Sequence, residues 1–211
     1  MEQKIHMISI FPSPVYITKR NVDLNLIEKT EIEDVIKEGM NRNLYNTTTK
    51  NNYIFDTVLY NLKKFCEEHI KIYVEQVINP ENELDFYITQ SWINVVEPGG
   101  NIEYHYHANS IISGVFYIST EEDDKITFTD PNHRIKETLR ITPKVYNIWN
   151  SDTWFIPSTT NELVLFPSWL GHEAKPNEKA TTDRISLSFN TFVKGTIEGK
   201  GKDELNKLIL K

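Results

Sequence analysis

The sequence predicts a mainly β protein, a sandwich or a barrel, with a helical segment ahead of the strands. Apolar residues recur at three- and four-residue intervals in the first 80 residues, as on one face of a helix. From residue 84 onward, the segments are short and rich in β-branched and aromatic residues. Turn signals containing Pro, Gly or Asp separate these segments, which is typical of sandwiches and barrels rather than of alternating strands and helices.

The length of 211 residues favours a single domain, residues 1–211, around one core. Within it we expect three parts. Residues 1–80 supply an N-terminal strand and helices that pack on the barrel, residues 84–195 form the β-rich core, and residues 202–211 form a short C-terminal helix or tail.

The net charge and the number of cysteines exclude several classes of protein. Acidic residues outnumber basic residues by 30 to 23, giving a net charge of −7, which argues against nucleic acid as the main partner. The single cysteine excludes an internal disulfide framework. The sequence contains no run of 18 apolar residues, so no membrane span is predicted. The N-terminal sequence lacks the pattern of a secretion signal. We therefore expect a cytoplasmic protein without a membrane partner.

Two helices are predicted in the first part of the chain. The segment 21–40 has partly helical spacing, and the following segment, 42–52, is rich in Asn and Thr and is predicted to be a surface loop. Apolar residues then recur over more than six turns across 55–77, which predicts one long amphipathic helix that ends before Pro80. We expect this helix to pack along the outside of a sheet.

The β-rich part contains six predicted strands. They cover residues 86–96, 111–120, 125–130, 142–149, 162–166 and 184–192.

Three histidines have the spacing of metal ligands. His105 and His107 are separated by one residue in β-like sequence, so their side chains are expected on one face of a strand. Together with His172 from a distant strand, they would present three nitrogens to a metal ion and leave positions open opposite. The alternative is an aromatic, partly exposed strand end without a metal.

The last predicted strand, RISLSFN, contains a candidate anion site. Arg184, Ser186 and Ser188 alternate along it and share one face. A cation and hydroxyls that face the interior of a barrel are costly unless they bind an anion. The alternative is a salt bridge from Arg184 to Asp183 or Glu173.

These features together resemble the Fe(II)- and 2-oxoglutarate-dependent oxygenases, specifically the 2OG-Fe(II) oxygenase group of bacteria and marine phages. The similar segments run in order along the chain: FPSPVY at 11–16, SWIN at 91–94, HYHANSIISGVFYIS at 105–119, FTDP at 128–131, LVLFPSWLGH at 163–172 and RISLSFN at 184–190. The resemblance implies a double-stranded β-helix, a jelly-roll or cupin-like barrel, as the catalytic core.

The resemblance also implies residue roles. His105 and His172 become metal ligands, and Arg184 becomes the clamp on the distal carboxylate of 2-oxoglutarate. Tyr117 is expected to donate its hydroxyl to the same carboxylate, and Asn94 to line the pocket.

One position departs from the pattern of the superfamily. Where a carboxylate is usual, this chain has His107. Three neutral imidazoles leave Fe(II) with a formal charge of +2, whereas a carboxylate would lower it to +1. Our hypothesis is that His107 is the third ligand; the alternative is a carboxylate from Asp130 or Glu103, with His107 outside the ligand set.

The sequence therefore predicts a dioxygenase, expected to be a hydroxylase, that uses Fe(II), 2-oxoglutarate and O₂ on an unidentified prime substrate. Two alternatives remain open: a cupin-type three-histidine enzyme, either a dioxygenase or an isomerase, that works without 2-oxoglutarate, and a non-enzymatic metal- or sugar-binding jelly roll. A homodimer is compatible with a barrel that has a helix on one side.

Overall fold

The structure, a computed structural model, describes residues 6–132, 141–198 and 207–211. Two α-helices occur in these residues, α1 (Leu26–Glu38) and α2 (Tyr60–Tyr73). The strands are β1 (Tyr16–Lys19), β2 (Met40–Arg42), β3 (Thr47–Thr49), β4 (Leu84–Val96), β5 (Ile102–His105), β6 (Ile112–Ser119), β7 (Lys125–Thr129), β8 (Thr153–Pro157), β9 (Glu162–Pro167), β10 (His172–Ala174), β11 (Arg184–Ile197) and β12 (Leu208–Leu210).

The strands form two antiparallel sheets with non-sequential neighbours. The larger sheet has the order β1-β9-β6-β11-β4-β3-β2, with β12 beside β11, and the smaller has the order β5-β10-β7-β8. Such crossing connections between two sheets are typical of a jelly roll. The predicted fold class, mainly β with flanking helices and a double-stranded β-helix core, is confirmed.

The helices form where the sequence supplies start signals and an apolar face. Asn25 caps α1: its side chain accepts the backbone N–H of Glu28, and the Glu28 carboxylate accepts the backbone N–H of Asn25. Helix α2 continues into a π-helical turn, Val74–Ile78. The predicted long helix does not reach back to residue 55, because Leu59 has a φ of 60° and separates α2 from a 3₁₀ turn, Ile54–Asp56.

The main core lies between the helices and one face of the larger sheet. Helix α2 contributes Leu62, Cys66 and Ile70, which are fully buried. On the sheet side, the same cluster contains Leu187 and Phe189 of β11. Burying such side chains is the dominant favourable term in folding, at about 1.5–3 kcal/mol for each.

Three local predictions differ from the structure. The predicted surface loop 42–52 contains β3, which pairs with β2 and with β4. The predicted strand 142–149 contains bends and a turn but no strand, and the strand in this region is β8, which begins at Thr153. The C-terminal segment 202–211, predicted to be a short helix or tail, contains the strand β12, which pairs with β11; residues 202–206 lie outside the described residues. Among the described residues, no helix has the length and apolar character needed to cross a bilayer.

Two irregularities in strand pairing flank the middle of β11. Its register with β6 shifts between Ile185 and Ser186, and its register with β4 shifts between Asn190 and Thr191. Between the shifts, Ser186, Ser188 and Asn190 alternate with Leu187 and Phe189, so the polar and apolar side chains lie on opposite faces.

Candidate metal centre and anion pocket

Three histidines converge at one end of the smaller sheet. His105 is the last residue of β5, and it pairs directly with His172, the first residue of β10. Their ring centroids are 4.3 Å apart, and the ring of His107 lies 5.0 Å from that of His105 and 5.2 Å from that of His172. One potential ligand atom from each residue lies within 4.8 Å of the others, so a single ion can contact all three.

The reason for this convergence differs in part from the prediction. His107 lies beyond the end of β5, so strand alternation alone does not place its side chain. Its backbone N–H donates to the carbonyl of Ser168, 3.0 Å away, in the segment that leads to His172. This hydrogen bond holds the two histidine-bearing segments together.

Burial favours the neutral form of two of the rings. Desolvation, assisted by the charge that His105 carries when protonated, lowers the pKa of His107 to about 4 and that of His172 to about 3. At neutral pH both are unprotonated on one nitrogen, as a metal ligand must be.

No carboxylate belongs to this cluster within the part of the chain that the structure describes. The carboxylate of Asp130 accepts the backbone N–H of Asn132, 2.9 Å away. Glu103 is exposed and contributes its backbone carbonyl, which lies 2.7 Å from Nδ1 of His105. The geometry therefore favours the three-histidine hypothesis over either alternative carboxylate.

The predicted anion-binding residues line the same cavity as the histidines. This cavity has a volume of about 550 Å³, its open mouth included. In the larger sheet, Ser186 is in register with Asn94 on one side and with Tyr117 on the other. All three and Arg184 are buried and contribute to the cavity wall.

Arg184 has a different ion-pair partner from those considered in the sequence. Its Nη1 lies 3.3 Å from Oδ1 of Asp124, which is buried at the start of β7. Neither Asp183 nor Glu173 is this partner. Nη2 of Arg184 is buried and has no hydrogen-bond partner among the described residues. A buried, unsatisfied guanidinium N–H is costly, so a ligand atom that accepts this N–H is expected beside Arg184.

Tyr117 and Asn94 differ in whether their polar groups are free to bond to a ligand. Burial raises the pKa of Tyr117 to about 12, so its hydroxyl keeps its proton and can donate. The Asn94 amide is already engaged: Nδ2 donates to Ser188 Oγ at 3.0 Å, and Oδ1 accepts Trp92 Nε1 at 3.1 Å. Asn94 therefore shapes the wall of the cavity.

The sequence of the β-rich core matches a known protein family. Residues 90–190, which include all seven predicted site residues, match the family described as "Putative 2OG-Fe(II) oxygenase". The core of this chain is therefore similar to the 2OG-Fe(II) oxygenase family. The resemblance inferred from the motifs is thus confirmed, and Fe(II) and 2-oxoglutarate are the cofactors that the name of the family states. No curated protein matches the sequence.

Solved structures share the fold of this chain at low sequence identity. An oxidoreductase of the 2OG-Fe(II) oxygenase family from Burkholderia pseudomallei has 11% identity and a TM-score of 0.57, covering 84% of this chain and 83% of that one. The non-heme alpha-ketoglutarate-dependent carbocyclase SnoK from nogalamycin biosynthesis has 12% identity and a TM-score of 0.60, covering 85% and 80%. HygX from Streptomyces hygroscopicus, solved with nickel and 2-oxoglutarate, has 8% identity and a TM-score of 0.52, covering 92% and 90%.

The side chains of this cavity fit both Fe(II) and 2-oxoglutarate. Imidazole nitrogen is a common ligand of Fe(II), and three converging rings can occupy one side of the ion. The buried Nη2 of Arg184 is a suitable donor for a carboxylate of 2-oxoglutarate. Both features lie in one cavity.

Sequence reasoning missed two residues of this region. Asp124 belongs to an acidic run that looks like a solvated turn, and nothing in the sequence links it to Arg184, 60 residues away. Asn190, whose amide lies 3.5 Å from His107, shares the strand face of Arg184 and Ser186. Extending the alternation of β11 by one more polar residue would have found it.

Proposed function

We propose that this protein is an Fe(II)- and 2-oxoglutarate-dependent dioxygenase that hydroxylates an unidentified substrate, with His105, His107 and His172 as the iron ligands. One observation carries the proposal: Arg184, whose buried Nη2 has no partner among the described residues, lines the same cavity as the three converging imidazoles. A metal centre alone does not require such a cation, whereas a 2-oxo diacid that chelates the metal does.

In this proposal, three residues of the larger sheet bind 2-oxoglutarate, and each has a distinct role. Arg184 donates Nη2 to the distal carboxylate while Asp124 holds Nη1. Tyr117 donates its hydroxyl to the same carboxylate, and Ser186, which lies between the two along the sheet, supplies a further hydroxyl. Since all these donors are fixed on neighbouring strands, little order must be gained on binding.

The charges of the cavity sum to zero when both cofactors are bound. Three neutral imidazoles leave Fe(II) at +2, and the pair of Arg184 and Asp124 contributes no net charge. The 2-oxoglutarate dianion then balances the metal. This balance supports His107 as a ligand without requiring a carboxylate in its place.

The bound cofactors supply oxidative decarboxylation of 2-oxoglutarate to succinate and CO₂, which delivers one oxygen atom of O₂ to succinate and the other to the substrate. The chain supplies binding, orientation and exclusion of water. Phe128 and Phe166 pack beside His172, with ring centroids 6.2 Å and 4.6 Å away, and form an apolar wall at the metal side. Low polarity there strengthens the electrostatic contacts with the bound anion.

The test is a titration of the anaerobic, iron-loaded protein with 2-oxoglutarate, followed by the visible charge-transfer band that chelation produces. We expect a saturable band. Arg184→Lys, which keeps a cation beside Asp124 but loses the planar fork, is expected to weaken 2-oxoglutarate binding about tenfold or more. Arg20→Lys is the matched control, because Arg20 forms a buried ion pair with Glu28 outside the cavity.

Absence of the band with iron still bound would contradict the proposal. It would favour the cupin-type enzyme without 2-oxoglutarate or the non-enzymatic jelly roll. Equal weakening in both arginine variants would show that the effect of Arg184→Lys is a general loss of structure.

A further inference from the structure

The third histidine is held differently from the other two. Nδ1 of His105 lies 2.7 Å from the carbonyl of Glu103, and Nδ1 of His172 lies 2.9 Å from the carbonyl of Leu170. A carbonyl only accepts, so both rings carry their proton on Nδ1 and present Nε2 to a metal. Nδ1 of His107 instead faces a side-chain amide, that of Asn190.

Asn190 is buried at the end of a chain of hydroxyl groups. Ser113 Oγ donates to Asn190 Oδ1 at 2.9 Å, and Ser113 is linked to Ser168 at 2.8 Å. Ser168 is in turn 2.7 Å from Ser110 Oγ. A hydroxyl both donates and accepts, so the direction of the whole chain is reversible without moving its oxygen atoms.

The present orientation of the amide suits a ring without a proton on Nδ1. Asn190 Nδ2 lies 3.5 Å from His107 Nδ1 and also donates to Gln90 Oε1 at 3.3 Å. Metal binding through Nε2 requires the opposite arrangement, because Nδ1 then carries the proton and needs an acceptor. Turning the Asn190 amide presents Oδ1 to His107 and Nδ2 to Ser113, and Gln90, also an amide, can turn with it.

We propose that Asn190 is a positioning residue for the metal centre: its amide, together with the serine chain, selects the His107 tautomer that presents Nε2 to a divalent metal ion. The inference rests on the ligand set of the proposed function, but not on 2-oxoglutarate. It explains why a buried asparagine and three buried or half-buried serines lie behind His107, which, unlike His105 and His172, has no backbone carbonyl as the partner of its Nδ1 among the described residues.

The experiment measures Co(II) affinity by competition with a chelator, in the absence of 2-oxoglutarate. Asn190→Leu, which cannot accept a hydrogen bond, is expected to weaken Co(II) binding about 10- to 100-fold. Asn190→Asp supplies a fixed, charged acceptor and is expected to tighten binding about tenfold. A purely structural role of Asn190 predicts weaker binding in both variants and would overturn the proposal.

Two further measurements keep the inference falsifiable if a variant is unstable. The ¹⁵N shifts of the His107 ring in the metal-free protein should show Nδ1–H as the dominant tautomer in Asn190→Asp. Thr191→Val is the matched control: Thr191 is the neighbouring buried residue and bonds to Ile112 on the other face of the strand. It should lower the melting temperature and leave Co(II) affinity unchanged.

The ligand set is tested in the same assay. His107→Ala should lower Co(II) affinity, whereas Asp130→Ala should not. Unchanged affinity in His107→Ala would contradict the ligand set itself. If His107→Ala loses affinity while both Asn190 variants bind like the wild type, the ligand set stands and only the role of Asn190 is wrong.

Discussion

The two faces of β11 differ in almost every physical property, although they belong to one strand. The face toward the helices carries Leu187 and Phe189, which are fully buried among apolar side chains. The opposite face carries Arg184, Ser186 and Ser188, which are also buried but line a polar cavity. Burial on the first face stabilises the fold, whereas burial on the second is costly unless each group finds a partner.

The difference shows how the fold supports a site that is unfavourable in itself. Polar side chains on the cavity face are held in register by strands whose other face forms the main core. The core can therefore supply the free energy that keeps the donors of Arg184 and Tyr117 in place before a ligand binds. Substitutions on the two faces should have separable effects.

The largest effect is expected on the helix face. Phe189→Ala should lower the free energy of unfolding by about 3–5 kcal/mol, because the ring contacts Phe55 and fills the space that Gly114 leaves open. Urea unfolding measures the loss. At temperatures where the variant is folded, its Co(II) affinity should equal that of the wild type; a parallel loss of affinity would show that the faces are not independent.

Lowering the pH should destabilise the folded protein through His107 and His172, which line the cavity. The folded-state pKa values of His107, about 4, and His172, about 3, lie below the ordinary value near 6.5. Their contribution to stability is therefore complete above pH 6.5 and is lost as the pH falls toward 4 and below, at up to about 1.4 kcal/mol per pH unit for each proton taken up on unfolding.

Unfolding of the metal-free protein at several pH values checks this expectation. His107→Asn removes one of the two groups and should make the pH dependence between 6.5 and 4 shallower than in the wild type. An identical slope in both proteins would show that His107 does not have the lowered pKa.

The smallest effect is expected for Ser188→Ala. Its hydroxyl accepts Asn94 Nδ2, so the change leaves a buried donor without its partner at a cost of about 1 kcal/mol. Leu187→Ala, one residue away on the other face, should cost about 2–5 kcal/mol. Comparable losses in these adjacent variants, measured by urea unfolding, would contradict the division of β11 into two faces.

The sequence predicted those parts that depend on local periodicity. The alternation of β11 and the heptad-like spacing of α2 are visible in the residues themselves, and so are HxH and the distal His172. The hairpin of β2 and β3 was missed because its residues, MNR and TTT, lack an apolar alternation and pair at the edge of a sheet.

Ion pairs between residues that are far apart in the chain could not be predicted from a single sequence. The pairing of Arg184 with Asp124 depends on how the turn before β7 meets the start of β11, and Asp124 has no local signal that separates it from its acidic neighbours. Likewise, the start of α2 depends on the left-handed backbone of Leu59, a residue type that rarely adopts this conformation.

Two register shifts flank the segment of β11 from Ser186 to Asn190. The number of residues between these shifts cannot change without altering which side chains face the cavity. Deleting one residue between them would reverse the faces on one side of the deletion, so that an apolar side chain there would turn toward the histidines and a polar one into the helical core. Deleting two would restore the faces but move the remaining groups by about 7 Å along the strand. Attempts to shorten or lengthen this protein therefore belong in its loops, since this part of β11 accepts neither.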